Sequence, residues 1–206
     1  MKIETITVGP LGVNCYIVED PVSKEGMVID PGDDAPAILD YIQRENIQVK
    51  YIVNTHGHAD HIGANSELQK VTKAKLCLHE ADALMLSDPK KNLSVFWGQS
   101  VTSPPADQFL QDGQFLSLGS QQLKVLHTAG HSPGGICLAG DKILFSGDSL
   151  FAESIGRCDF PGGNMEQLVQ NIKQKLLPLP GDTVVYPGHG PATKIGWERQ
   201  HNPYMA

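Results

Sequence analysis

The sequence has no C-x-x-C pair, no dense cluster of lysine and arginine, no charged-then-apolar leader and no apolar run approaching membrane length. Each absence excludes a class. The four cysteines, Cys15, Cys77, Cys137 and Cys158, lie far apart, and three sit in apolar strand-like contexts. They read as reduced core residues, not as a disulfide framework or a thiolate metal site. A net charge of −7, from 16 basic and 23 acidic residues, argues against a nucleic-acid or anionic membrane surface as partner. Without a leader or a span, the expectation is a cytoplasmic protein. With 206 residues, 40% hydrophobic and 19% charged, the chain is expected to form one domain, residues 1–206, around a sizeable core. No internal repeat or low-complexity segment is visible.

What the chain does have is Thr55-His56-Gly57-His58-Ala59-Asp60-His61, placed directly after the apolar run Tyr51-Ile52-Val53. Imidazoles and a carboxylate crowded this closely must be desolvated or repel one another, unless a cation binds them. The upstream run reads as a buried strand ending at Asn54. His56 and His58, two apart on extended backbone, project to the same side and can grip one ion. Asp60 and His61 fall where the chain turns into a helix and point toward a second ion.

The first half reads as a hairpin of strands 2–8 and 13–19 around Gly9-Pro10-Leu11-Gly12, then a strand over 26–30 stopped by Pro31-Gly32. Asp33 or Asp34 is expected to N-cap a helix running to about Asn46. A strand at 49–53, a helix over 62–72, a strand at 74–78 and a short helix at 80–87 follow. Residues 88–105 read as an exposed loop or insertion. The second half reads as strands at 115–118, 121–127, 135–139, 142–146 and 183–186, with a helix over 164–177 carrying Leu168, Ile172 and Leu176. Strands then helices, twice over, predict two sheets packed face to face with helices outside, each half supplying one sheet.

Three more ligand types stand at strand-to-loop junctions: His131 in Gly130-His131-Ser132-Pro133-Gly134, Asp148 in Gly147-Asp148-Ser149-Leu150-Phe151, and His189 in Pro187-Gly188-His189-Gly190. A glycine precedes each, which lets the backbone turn sharply and aim the side chain. Any one of them alone reads as a turn, cap or surface residue. Together with the first cluster they make five histidines and two aspartates, a nitrogen–oxygen set suited to two borderline ions such as zinc, iron or manganese.

These motifs, with Asn14-Cys15-Tyr16, resemble the metallo-β-lactamase superfamily over nearly the whole chain. Within it the sequence is similar to the short, single-domain form of the hydroxyacylglutathione hydrolases (glyoxalase II). The resemblance implies an α/β fold, the αββα four-layer sandwich. It implies a first metal on His56, His58 and His131, a second on Asp60, His61 and His189, and Asp148 bridging them. Two divalent ions per chain are expected, zinc first, with iron or manganese as alternatives. The implied activity is thioester hydrolysis by a metal-bound bridging hydroxide that Asp60 ligates and orients, on S-lactoylglutathione or a related hydroxyacyl-glutathione. A thiol with a pKa of about 8.5 leaves with little protonation, which suits a site without a dedicated general acid.

The stretch Gly156-Arg157-Cys158-Asp159-Phe160-Pro161-Gly162-Gly163 is similar to one in the short glyoxalase II-like proteins, and Arg157 is a candidate for the substrate carboxylate. The alternative is that Arg157 pairs with Asp159 and shapes the loop. Long-form relatives carry a C-terminal helical region that supplies much of the glutathione site. This sequence runs seventeen residues past His189 (206 − 189), so the expectation is other glutathione contacts or another thiol carrier. The same ligand set also admits a mono-iron persulfide dioxygenase, a lactonase or other metallo-hydrolase, and a non-catalytic metal-binding protein. A β-lactamase fits less well, and RNA-processing or flavodiiron members need regions this sequence lacks.

Overall fold

The computed structural model describes residues 1–205. Six strands, β1 (Lys2–Val8), β2 (Val13–Glu19), β3 (Glu25–Ile29), β4 (Gln48–Val53), β5 (Lys75–Leu78) and β6 (Gln108–Phe109), form the first sheet in sequence order. The first three pair antiparallel, and β3 through β6 run parallel. Parallel neighbours need crossovers, and helices α1 (Ala35–Arg44) and α3 (Asn65–Thr72) supply two of them. The second sheet, from the second half of the chain, is a meander of β7 (Phe115–Leu118), β8 (Gln121–His127), β9 (Ile136–Gly140) and β10 (Ile143–Gly147). It is extended by β13 (Val184–Pro187), parallel to β10, and by β14 (Thr193–Lys194). A small ribbon, β11 (Leu150–Phe151) with β12 (Ser154–Ile155), stands apart.

Alternation along the strands builds the layers. On β2, Tyr16 and Val18 face the other sheet, where they meet Leu116, Leu123, Val125, Leu138 and Phe145. Cys15 and Ile17 face outward, into a cluster with Ile38, Ile42 and Leu68 of α1 and α3. On the far side, Leu144 and Val185 pack under Leu168 of α4 (Met165–Asn171), Ile172, Leu176, and Ile195 of α5 (Ile195–His201). The result is the expected helix–sheet–sheet–helix sandwich. Each large aliphatic side chain fully buried here contributes about 1.5–3 kcal/mol.

Several local expectations need correction. The helix expected over 62–72 is broken into α2 (Ala59–Ile62) and α3, because the backbone at Gly63 passes against the carbonyl of Gly32. Asp34 occupies the position before α1 but does not cap it: its backbone is left-handed and its carboxylate accepts the Gly9 N–H at 3.0 Å instead. The helix over 164–177 continues past Asn171 as a π-type turn, Ile172–Leu176. Within 88–105 the chain is ordered by buried Asn92, whose amide donates to the carbonyls of Met85 and Val101. That segment holds a 3-10 turn, Ser94–Trp97. The residues after His189 form β14 and α5, and Glu198 is buried, accepting from Thr193 and the Glu153 N–H.

Candidate metal centre

All seven sequence-predicted residues lie at one edge of the sandwich. His56 and His58 follow β4, Asp60 and His61 sit in α2, and His131, Asp148 and His189 follow β8, β10 and β13. Gly130 (φ 141°) and Gly147 (φ 48°) adopt backbone that L side chains avoid, which is what turns each chain end inward. A Cβ at Gly188 would meet the Asp148 carboxylate and the His61 ring.

The ligand atoms fall into overlapping groups of three, His56/His58/His131, His56/His61/Asp148 and Asp60/His61/His189, each within 4.8 Å. In the first group the His131 Nε2 lies 3.2 Å from His56 Nε2 and 3.0 Å from His58 Nδ1. In the other, His189 Nε2 is 3.3 Å and His61 Nε2 3.6 Å from Asp60 Oδ2. Asp148 reaches both: Oδ1 is 3.7 Å from His61, and Oδ2 is 3.6 Å from His131 and 3.7 Å from His189.

This set fits metal ions. Burial, then the charge of neighbouring imidazoles, holds His56 well below the ordinary histidine range, and burial with His131 takes His58 down to about 3. Neutral rings aim lone pairs at one point. For His61 burial acts downward, but Asp60, Asp30 and Asp148 outweigh it and push the imidazole up to about 10. Burial acts upward on Asp60, and His61 and His189 overcome it, holding that carboxyl well below its usual range. His61 Nε2 and Asp148 Oδ1 are buried without a hydrogen-bond partner. Buried polar atoms of this kind are costly unless something binds them, and a nitrogen–oxygen set suits zinc, iron or manganese.

A surrounding layer holds these groups, and most of it was not legible in the sequence. Asp30, in left-handed backbone just past β3, accepts the Thr55 N–H at 2.7 Å and the Thr55 hydroxyl at 2.6 Å. Its Oδ2 is also 3.1 Å from His61 Nδ1. An acid closing a buried strand before Pro31-Gly32 was the signal available. Asp82 is fully buried and accepts from Gly57 N–H (3.0 Å), Ser132 hydroxyl (2.7 Å) and Gly134 N–H (2.6 Å). It ties the His56–His58 loop to the His131 loop. The Asn14-Cys15-Tyr16 motif grips the last loop: Asn14 donates to the carbonyls of Pro187 and Gly190, and Tyr16 to that of Pro187 at 2.6 Å. The Leu11 carbonyl lies 3.1 Å from His189 Nδ1.

Arg157 forms a two-pronged pair with Asp159 (2.8 and 2.7 Å) and lies 4.0 Å over the Phe160 ring, which in turn meets the His58 ring edge-on. The Arg157 carbonyl lies 2.8 Å from His131 Nδ1. Of the remaining histidines, His127 contacts the Pro133 carbonyl at 3.0 Å and stacks on His79. Neither belongs to the cluster.

The sequence model described as the metallo-beta-lactamase superfamily matches residues 8–189. The Haemophilus influenzae protein named hydroxyacylglutathione hydrolase GloC is 34% identical, over 100% of this chain and 98% of its own length. Among solved structures, the BLEG-1 B3 metallo-beta-lactamase superposes with a TM-score of 0.94 at 39% identity, covering 100% of both chains. TTHA1623 in a di-iron-bound form superposes with a TM-score of 0.87 at 36% identity, covering 98% of this chain and 99% of its own. Motif, layer order and likeness along the whole chain agree, and this chain belongs to the metallo-β-lactamase superfamily.

Proposed function

We propose that this chain is a two-metal hydrolase of thioesters, with S-lactoylglutathione or a related hydroxyacyl-glutathione as substrate. The observation that carries the reading is the Asp148 carboxylate, which lies between the two ligand groups and reaches both, with Oδ1 near His61 and Oδ2 near His131 and His189. The hydrolase named in Haemophilus influenzae supports the glutathione-linked substrate. Zinc is the first choice of metal, and the di-iron neighbour makes iron the alternative. When bound, the two ions would supply a Lewis acid for the carbonyl oxygen and would lower the pKa of a bound water.

The chain's own residues do the rest. His56, His58 and His131 present neutral nitrogens on one side, and Asp60, His61 and His189 face the other. Asp60, kept ionised by His61 and His189, accepts a hydrogen bond from the attacking water and fixes its direction. The water oxygen bonds to the thioester carbon, the carbon–sulfur bond breaks, and the products are a carboxylic acid and a thiol. Four free cysteines, three of them buried, suit a reducing cytoplasmic compartment. No helix among the described residues is long and apolar enough to cross a membrane.

Arg157 is assigned to a substrate carboxylate. Its pair with Asp159 is exposed, 60% and 66% at the two side chains, so the pair is worth no more than about 1 kcal/mol and yields readily to a better-placed anion. Arg157→Ala is therefore expected to raise KM for S-lactoylglutathione about tenfold, with kcat and metal content retained. An unchanged KM with lowered metal content would show instead that the residue only shapes the loop around His58 and His131.

The first test is elemental analysis of the purified protein together with S-lactoylglutathione hydrolysis. Two ions per chain with turnover is the expected result. One iron per chain, no thioester turnover and oxygen uptake with glutathione persulfide would replace the proposal with the dioxygenase reading.

A further inference from the structure

A cavity of about 470 Å³ opens beside the ligand cluster and shares Asp60 with it; Arg157 is not among its lining residues. Its walls are the β1–β2 turn, with Pro10 and Leu11, and the segment carrying Trp97 and Val101. The volume is that of a small-molecule site. The apolar side chains are not hidden: Leu11 is 48% and Trp97 45% exposed. The charged groups among the lining residues are two acids, Asp33 and Asp60.

From this we infer that the cavity is the acyl subsite, taking an uncharged, predominantly apolar acyl chain, with Trp97 and Leu11 setting its specificity. The inference rests on the thioesterase reading, and three observations support it. A thioester held with its carbonyl at the Asp60–Asp148 edge must send its acyl and thiol halves to different sides, and Asp60 belongs to both the cluster and the cavity wall. Glutathione carries two carboxylates and one ammonium, a net negative charge that a cavity whose charged lining is acidic disfavours, so the uncharged acyl half is the better match. The walls are anchored. Leu11 is tied through its carbonyl to His189, and Val101 donates its N–H to Ser94 while its carbonyl accepts from Asn92. The apolar surface is therefore preformed, so little ordering offsets what an acyl chain gains by covering it.

The test is kcat/KM across S-acetyl-, S-butanoyl- and S-hexanoylglutathione. Each methylene buried against these walls is expected to add about fourfold, so that S-butanoyl exceeds S-acetyl by about 15-fold. Trp97→Ala flattens the series, and Leu11→Ala on the opposite wall lowers its slope if the tryptophan variant does not fold. A flat wild-type series, or a slope that neither substitution alters, overturns the assignment.

Loss of the thioesterase reading is separable. If no thioester is turned over, the cavity is read by Trp97 fluorescence in a Trp197→Phe background, where Trp97 is the remaining tryptophan. Hexanamide binding more tightly than acetamide upholds an apolar subsite for a different hydrolysable substrate. Equal affinity, or no fluorescence change with either amide, removes it.

Discussion

Asp148→Ala is expected to abolish hydrolysis and to strip the protein of metal. The reason is geometric: one carboxylate faces His61 with one oxygen and His131 and His189 with the other. Its removal leaves each ligand group short by one charge at once. Even a partner outside the ligand set typically costs 10–100-fold in metal affinity or activity, so loss of a shared ligand should exceed about 100-fold. His58→Ala makes the informative companion. It removes the Nδ1 of the first group and leaves Asp60, His61 and His189 intact, so retention of about one ion per chain is expected. Elemental analysis and the thioester assay read both variants. An Asp148→Ala protein that keeps two ions and near-native turnover would sink the two-metal assignment.

The second large effect is expected at a residue outside the ligand set. Asp82→Ala orphans three buried donors, the N–H groups of Gly57 and Gly134 and the hydroxyl of Ser132. An unsatisfied buried donor costs about 1–3 kcal/mol, so the variant should lose about 3–5 kcal/mol of stability, a large fraction of a domain's total. Burial pushes the Asp82 carboxyl up from its usual value, and the three donors oppose that. Ser132→Ala, which removes one donor together with its need, should cost about 1 kcal/mol. Urea unfolding of both variants gives the comparison. Equal midpoints for wild type and Asp82→Ala would show that water replaces the carboxylate without penalty. Because Asp82 joins the loop of His56 and His58 to that of His131, metal should also be held less tightly at native temperatures.

The contrast between these two variants explains what the sequence could reveal. Ligand chemistry leaves a local trace: H-x-H-x-D-H within six positions, and a glycine ahead of each remaining candidate. The two-sheet order was equally legible, because short apolar runs such as those of β2, β8 and β10, bounded by Gly- or Asp-rich turns, are a short-range pattern. Asp82 had no such trace. Its partners lie 25, 50 and 52 residues away, and its neighbours suggest only a short helix. The broken helix at Gly63 has the same origin, since Gly32, 31 positions earlier, decides it. Likewise Asp34 looked like a cap, yet Gly9 claims its carboxylate. The segment over 88–105 gave no periodicity because its order comes from the buried polar side chains of Asn92 and Ser94, not from a repeating face. The two-residue strands β6 and β14 are too short to alternate.

The order of the candidate ligands along the chain has a consequence for biosynthesis. His56, His58, Asp60 and His61 all precede residue 62, whereas His189 arrives 128 residues after His61 (189 − 61). At about 5–20 residues per second, roughly 6–26 s of translation separate them. Early in that interval, before His131 and Asp148 are made, a nascent chain displays three imidazoles and a carboxylate with none of their later counterparts. The loop that carries His189 is then clasped by Asn14 and Tyr16, across 171–176 positions. A cation taken up early would meet an incomplete set of donors and exchange freely, so the ion finally retained is selected only when the last loop closes on the first hairpin.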